Sequence, residues 1–378
     1  MNIVIAPDSF KECLSATEVA KNIAKGILNV HPKAKITTLP ISDGGEGLLE
    51  SLVTPFGGKI ISVKVKDPLE RNINSHYGIL KDGKTAVIEL AKASGLELLN
   101  DEEKDPLITT TFGTGQLIKD ALNKGCRKFI IGIGGSATND GGAGIAKALG
   151  AKFLNANNEE IKQGGRNLNT LNRIDLSNFD ARIKDCEIIV ACDVTNPLTG
   201  INGASFVYGA QKGGGLEDLK KLDESLKKYA EVIKATFNKN IDSIPGAGAA
   251  GGTGAGLLTF LNAKLTNGIE LILETIQLES YIKTADLVIT GEGKIDNQTL
   301  NGKTIFGISK MAKKHHVPVI VITGKIGEDI EDIYNLGVTS IYSIVNQPMA
   351  LSYAIKNADT LITSCSENIM RTVQYFYK

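Results

Sequence analysis

The chain has 378 residues, enough for two domains with substantial cores, and 42% of them are hydrophobic, as in a globular protein. Lys plus Arg and Asp plus Glu stand at 42 each, which excludes the basic excess of a dedicated nucleic-acid binder but not a local basic spot for a small anion. Five scattered cysteines with no CxxC pair and four histidines with no spaced partner argue against a disulfide framework and against structural zinc or iron.

That cysteine usage suits a reducing cytosol. The start, "NIVIAPDSF", lacks the basic, apolar and small-residue regions of a signal peptide, and no apolar run approaches the roughly 18 residues of a membrane span. A cytoplasmic protein without a membrane or nucleic-acid partner is expected.

In chain order, residues 2–6 (NIVIA) read as a strand buried on both faces. Ser15 then caps a helix running to about Val30, with Glu18 at the capping-box position. A second strand at 35–41 leads through "SDGGEG" into a helix near 46–53, an alternation that predicts a parallel sheet. Three consecutive strands follow, "GKIISVKVKD", "NINSHYGIL" and "KTAVIEL", with turns at Asp67-Pro68 and Asp82-Gly83. A helix at 115–124, a strand at 128–133, a helix at 142–149, a strand at 187–192 and a long charged helix at 216–238 come next. From 285 the strand–helix alternation returns: strands ADLVIT, PVIVIT and SIYSIV, with helices at 302–314, 328–335 and 359–376. The pattern gives an α/β fold in which a doubly wound (Rossmann- or flavodoxin-like) parallel-sheet domain, 1–65 plus 284–378, is interrupted by an inserted α/β domain with a mixed sheet, 66–283. The active site is expected in the cleft between them.

Ligands of open parallel sheets bind beyond the strand carboxyl ends. Asp8, Ser9 and Lys11 follow the first strand, and Ser42, Asp43 and Glu46 the second. Ser136, Thr138, Asn139 and Asp140 follow KFIIGI, Asp193 follows EIIVAC, and Glu292, Lys294 and Asp296 follow ADLVIT. Each acid or hydroxyl alone is as readily a helix cap. The recurrence on one edge favours a site, and Asp193, ahead of "VTNPL", is a poor helix cap.

The segment "GIGGSATNDGGAG" places Gly134, Gly135 and further glycines before a helix start, a composition suited to phosphate or carboxylate. Ser136, Thr138 and Asn139 would donate to that anion, and Asp140 would orient a metal or hydroxyl. A tight helix-to-sheet turn is the competing explanation. In "PGAGAAGGTGAG", Gly246, Gly248 and Gly251 have GxGxxG spacing without a convincing strand before it, which disfavours a nicotinamide-dependent oxidoreductase but leaves a glycine-lined anion contact open. "NQTLNGKT" nearly matches a Walker A loop; Lys303 in it reads equally as a phosphate ligand or a solvated first-turn lysine. No GxSxG elbow is present.

The motifs "APDSFK", "SDGGEG", "GGSATNDGGAG", "CDVTNPLTG", "GAQKGG", "PGAGAAGG" and "ITGEGKID" occur in the order in which they resemble the type I glycerate kinase family, over essentially the whole chain. Lys294, Asn297 and Ala210 depart from it, standing where arginine, glycine and proline are usual. The resemblance implies ATP-dependent phosphorylation of D-glycerate with Mg²⁺, to 2-phosphoglycerate in preference to 3-phosphoglycerate, by a monomer or homodimer. A kinase for another small hydroxy acid and a non-catalytic ligand-binding regulator are the alternatives. On this basis Asp43 and Asp193 are expected to bind metal or accept the hydroxyl proton, and Lys11 and Lys294 to hold the glycerate carboxylate or the moving phosphate. Ser9, Gly44, Gly45, Gly134, Gly135, Ser136, Thr138, Asn139, Asp140, Gly248, Gly251 and Lys303 would contact substrate or phosphate, and Glu292 and Asp296 are further metal candidates.

Overall fold

The computed structural model describes residues 1–10, 13–41, 47–53, 56–296 and 304–376. The first strands, β1 (Asn2–Ile5) and β2 (Lys35–Thr38), are followed by β3 (Lys59–Lys66), β4 (Asn72–Ile79), β5 (Thr85–Glu89) and β6 (Lys128–Gly132). A short hairpin, β7 (Lys152–Leu154) with β8 (Arg173–Asp175), precedes β9 (Glu187–Ala191) and β10 (Lys264–Thr266). The last strands are β11 (Leu287–Ile295), β12 (Val319–Ile326) and β13 (Val338–Ser343).

Two compact units divide the chain: residues 1–43, 50–55 and 269–378 form the first, and 44–49 with 56–268 the second. The boundaries thus fall ten and fifteen residues earlier than the sequence pattern suggests. β3 pairs along its whole length with β4, which assigns it to the second unit. The helix Gly268–Thr275 packs its Ile269 and Leu273 beside Gly307 of the helix Thr304–Lys314, which assigns it to the first.

The first unit holds a five-stranded, all-parallel sheet in the order β13-β12-β11-β1-β2. Renumbered within the unit this is 2-1-3-4-5, the flavodoxin-like order, whose crevice opens where the connections from β1 and β11 leave in opposite directions. β1 is the strand Asn-Ile-Val-Ile with its last three residues buried, as a central parallel strand requires. The helix Ala16–Val30 begins as its sequence dictates: Ser15 Oγ accepts from Glu18 N–H and Glu18 Oε2 accepts from Ser15 N–H, a complete capping box. Val19, Ile23 and Ile27 bury one stripe of it against β1 and the helix Ala358–Phe376. Gly26 lies in the crossing of these two helices, where a Cβ would overlap the carbonyl of Thr363.

The second unit's six-stranded sheet runs β10-β9-β6-β5-β4-β3. β5, β6, β9 and β10 are parallel, while β3–β4 and β4–β5 are antiparallel, giving the mixed sheet that three consecutive strands imply. Tyr77, Phe129, Phe153 and Tyr229 are fully buried in its core. The segment expected as a glycine-rich loop is instead a kinked helix, Ala249–Phe260, in which Ala250, Gly251 and Gly252 are left-handed. β11 also outruns expectation: it continues beyond Thr290 to Ile295, paired with β12 up to Ile295 against Ile326, so Glu292 and Lys294 stand within a strand rather than after it.

Candidate functional site

The crevice of the first unit is a cavity of about 520 Å³ at the carboxyl ends of β1, β11 and β12. Its polar side carries Asp8, Ser9, Glu292, Lys294, Asp296 and Lys325. Its apolar side is built from Phe10, Ile344, Val345, Leu351 and Ile355, of which Leu351 is largely exposed. β1 continues past its last strand residue, with Asp8 N–H donating to the Gly291 carbonyl at 2.8 Å. Asp8 in turn accepts from Ser9 N–H at 2.6 Å and from Thr304 Oγ at 2.8 Å, tying the β1 loop to the helix beginning at Thr304. Lys294 Nζ pairs with Asp296 Oδ2 at 2.8 Å, so this cation and this carboxylate are partners before any ligand arrives.

The second unit has its own cavity, of about 370 Å³, at the ends of β6 and β9. Gly134, Gly135 and Ser136 form one wall and Asp193 another, with Tyr208, Gln211 and Lys212 closing it. Asp193 Oδ1 accepts from Gly268 N–H at 2.8 Å, which fixes the carboxylate after β9. The loop after β6 is pinned to its neighbour by Leu96 N–H to the Gly135 carbonyl and Ala137 N–H to the Ser94 carbonyl, both 2.9 Å.

The rest of that loop does not perform the task its composition suggests. Asp140 is buried, and its carboxylate accepts from Thr111 N–H at 2.8 Å, Gly142 N–H at 3.1 Å and Gly144 N–H at 3.2 Å, with Thr110 and Thr111 hydroxyls alongside. Ile145 N–H donates to Thr111 Oγ at 3.1 Å. The amides of the helix start are therefore satisfied by the protein's own anion, and that helix, Ala143–Ala148, does not offer them to a ligand. Burial pushes the Asp140 carboxyl above its ordinary range, against the pull of the Thr111, Gly142 and Gly144 donors. Thr138 and Asn139 are fully buried and do not line the cavity, and among the described residues Thr138 Oγ and Asn139 Oδ1 have no hydrogen-bond partner.

Gly248 and Gly251, expected at a phosphate, face backbone instead. A Cβ at Gly248 would overlap the Pro197 carbonyl, and one at Gly251 the Thr138 carbonyl. Gly251 is also left-handed and accepts from Gly141 N–H through its carbonyl at 3.0 Å, so these glycines let two chain segments touch. Their neighbours Ala249 and Ala250 are the ones that reach the cavity. Lys11, Asp43, Gly44, Gly45 and Lys303 lie outside the described residues. Of the remaining expected residues, Ser9, Glu292, Lys294 and Asp296 share the first cavity, and Gly134, Gly135, Ser136 and Asp193 share the second.

Lys212 is the residue that the sequence reading missed. It is 2% exposed, yet it lines the second cavity, and its Nζ donates to Ser136 Oγ at 2.8 Å and to the Thr138 carbonyl at 2.7 Å. Among the described residues it has no ion-pair partner within 4.0 Å, and loss of hydration lowers its pKa from 10.5 to about 7, the more distant Asp140 opposing the shift. A signal was available: Lys212 is the only charged residue between Asp193 and Glu217.

Two cavities at strand carboxyl ends, one lined by acids and lysines and one by a buried lysine beside a glycine-rich turn, suit an α/β enzyme that handles anionic ligands. Comparison with known proteins gives the same class and narrows it. The profile of the Glycerate kinase family matches residues 3–374. The chain is 49% identical to the glycerate 2-kinase of Escherichia coli K12, over 99% of this chain and 98% of that one. It is 48% identical to the glycerate kinase of Halalkalibacterium halodurans, over 97% of each. A crystal structure from Salmonella typhimurium LT2, provisionally named glycerate kinase 2, superposes with a TM-score of 0.92 at 45% identity, covering 100% of this chain and 99% of that one. The chain belongs to the glycerate kinase family. Among the described residues no helix is long and apolar enough to cross a membrane.

Proposed function

We propose that the protein phosphorylates D-glycerate with ATP, placing the phosphoryl group on the 2-hydroxyl. The observation that carries this reading is the second unit's cavity, in which a fixed carboxylate, Asp193, a glycine-rich wall and Lys212 share about 370 Å³, ample room for a small hydroxy acid. Family membership supports it, and the name of the Escherichia coli relative favours the 2-hydroxyl. Phosphoryl transfer asks a protein chiefly for positioning and for neutralisation of charge. Asp193 is the acceptor for the hydroxyl proton, held in place by Gly268 N–H. The first unit's cavity suits a nucleotide: aliphatic side chains of Val345, Leu351 and Ile355 offer faces for a base, with Lys294 and Lys325 for phosphate charge.

Among the described residues no three His, Cys, Asp or Glu side chains form a ready metal cage. Mg²⁺ needs none, because it takes one or two carboxylates and fills its octahedron with water and phosphate oxygens. Glu292 and Asp296 line the same cavity but stand four residues, about 13 Å, apart along extended backbone, so either one would supply a carboxylate to the ion, with water and phosphate oxygens completing its shell. When bound, Mg²⁺ supplies charge neutralisation for the nucleotide phosphates.

The test is incubation of the protein with ATP, Mg²⁺ and D-glycerate, followed by ³¹P NMR of the product. Expected is 2-phosphoglycerate with stoichiometric ADP. Turnover confined to tartronate or threonate in a substrate panel makes it a kinase of a different acid, and no ADP with any acid makes it a regulator.

A further inference from the structure

We propose that Lys212 is the residue that binds the carboxylate of the acceptor acid. This rests on the glycerate kinase reading above and assigns the anion position within that site.

The argument is one of unsatisfied charge. An ammonium has three donors and no acceptor. Two of those of Lys212 go to neutral oxygens, Ser136 Oγ and the Thr138 carbonyl, at 2.8 and 2.7 Å. No described carboxylate comes within ion-pair distance of it, yet it is 2% exposed and lines a cavity. A buried charge is ordinarily paired, and a lysine buried without a partner gains most from a ligand that brings the missing anion and so favours its protonated form. Its immobility matters as well. The side chain is clamped at both described contacts to the pinned loop after β6, so it is a fixed point rather than a mobile arm.

A carboxylate fits that point better than the phosphoryl group in transfer. The carboxylate of a hydroxy acid stays put through the reaction and suits a nearly closed position. The moving phosphoryl group must stay in contact with nucleotide and hydrated metal, which a position as closed as that of Lys212 does not suit. Asp193 lines the same cavity, so an acid anchored at Lys212 shares that space with the group proposed to accept its hydroxyl proton.

The experiment is a ligand-by-mutation cycle by isothermal titration, in the presence of Mg²⁺ and a non-hydrolysable ATP analogue. D-glycerate and its neutral amide, glyceramide, are titrated into wild type, Lys212→Met and Lys212→Arg, with thermal melts to verify folding. Wild type should prefer glycerate. Lys212→Met should lower glycerate affinity roughly 100-fold and leave glyceramide within about three-fold, because it removes a charge-assisted contact made only by the anion. Lys212→Arg should fall between the two. Analogue affinity should stay within about two-fold in all three proteins. If Lys212→Met keeps the glycerate preference, or loses analogue affinity instead, Lys212 is not the carboxylate anchor. Wild-type turnover on D-glycerate separates the two failures: turnover with a retained preference refutes the anchor alone, and no turnover refutes the functional reading and the anchor with it.

Discussion

Replacing Lys212 by methionine should change how stability depends on pH, and the size follows from the burial of the amine. In the unfolded chain this group titrates at its ordinary 10.5, and in the folded protein at about 7. Below pH 7 both states are protonated, so the folded protein bears the full cost of a buried, unpaired ammonium. Between pH 7 and 10.5 the unfolded chain binds more protons than the folded one, so stability rises with pH, by about 1.4 kcal/mol per unit at most. Integrated from pH 6 to 9.5, the gain is on the order of 3 kcal/mol. Methionine cannot ionise and removes that slope. It also leaves Ser136 Oγ and the Thr138 carbonyl without their donor, a cost of about 1–3 kcal/mol that is the same at every pH and shifts the curve without tilting it. The assay is urea unfolding of wild type and variant at pH 6, 7.5 and 9.5. The chain has no tryptophan, so unfolding is followed by far-UV circular dichroism. Groups that titrate in both proteins cancel in the difference. Relative to wild type the variant should be about 3 kcal/mol more favourable at pH 6 than at pH 9.5. A difference that stays within about 1 kcal/mol across the range means that Lys212 keeps a counter-charge or its hydration, and the reasoning fails.

Asp193→Asn retains an oxygen acceptor for Gly268 N–H, so the melting temperature should move by only about two degrees while kcat falls roughly 100- to 10,000-fold, read from a coupled ADP assay. Asp140→Ala strips the acceptor from Thr111, Gly142 and Gly144 N–H groups in a dry interior; chemical denaturation should register a loss of at least about 3 kcal/mol, and a smaller loss would mean that water replaces the carboxylate. Gly26→Ala would gain about 1 kcal/mol from helix propensity on an open surface, but here the new methyl meets the Thr363 carbonyl and Ser366 Cβ, so thermal melts should show net destabilisation of about 1–3 kcal/mol.

What could be read from the residues alone was local or periodic. The Ser15–Glu18 capping box, the buried run of β1 and the three consecutive strands β3, β4 and β5 are each specified within a few neighbouring residues, and each stands where expected. The extension of β11 was not readable, because "GEGK" carries neither apolar alternation nor β-branched residues; it is held extended by the ladder to β12. Composition also misled at the glycines. Gly248 and Gly251 are small because Pro197 and Thr138 press on them, and sequence does not distinguish room for a neighbouring strand of backbone from room for a phosphate. Asp193 stands just after β9 on a cavity wall, as its place in the sequence suggests, whereas two of the partners of Asp140, Thr110 and Thr111, come from some thirty residues earlier. Lys212 shows the same limit: its meaning comes from two oxygens more than seventy residues away in the chain.

The carboxylate of Asp140, seated among the amides of the glycine-rich turn, bears on the timing of order in the catalytic cycle. A turn whose donors waited for substrate would be shaped anew at each encounter and would relax after each release. Here an internal carboxylate occupies those donors, so the conformational freedom of the glycines is surrendered once, as the chain folds, and not again at each turnover.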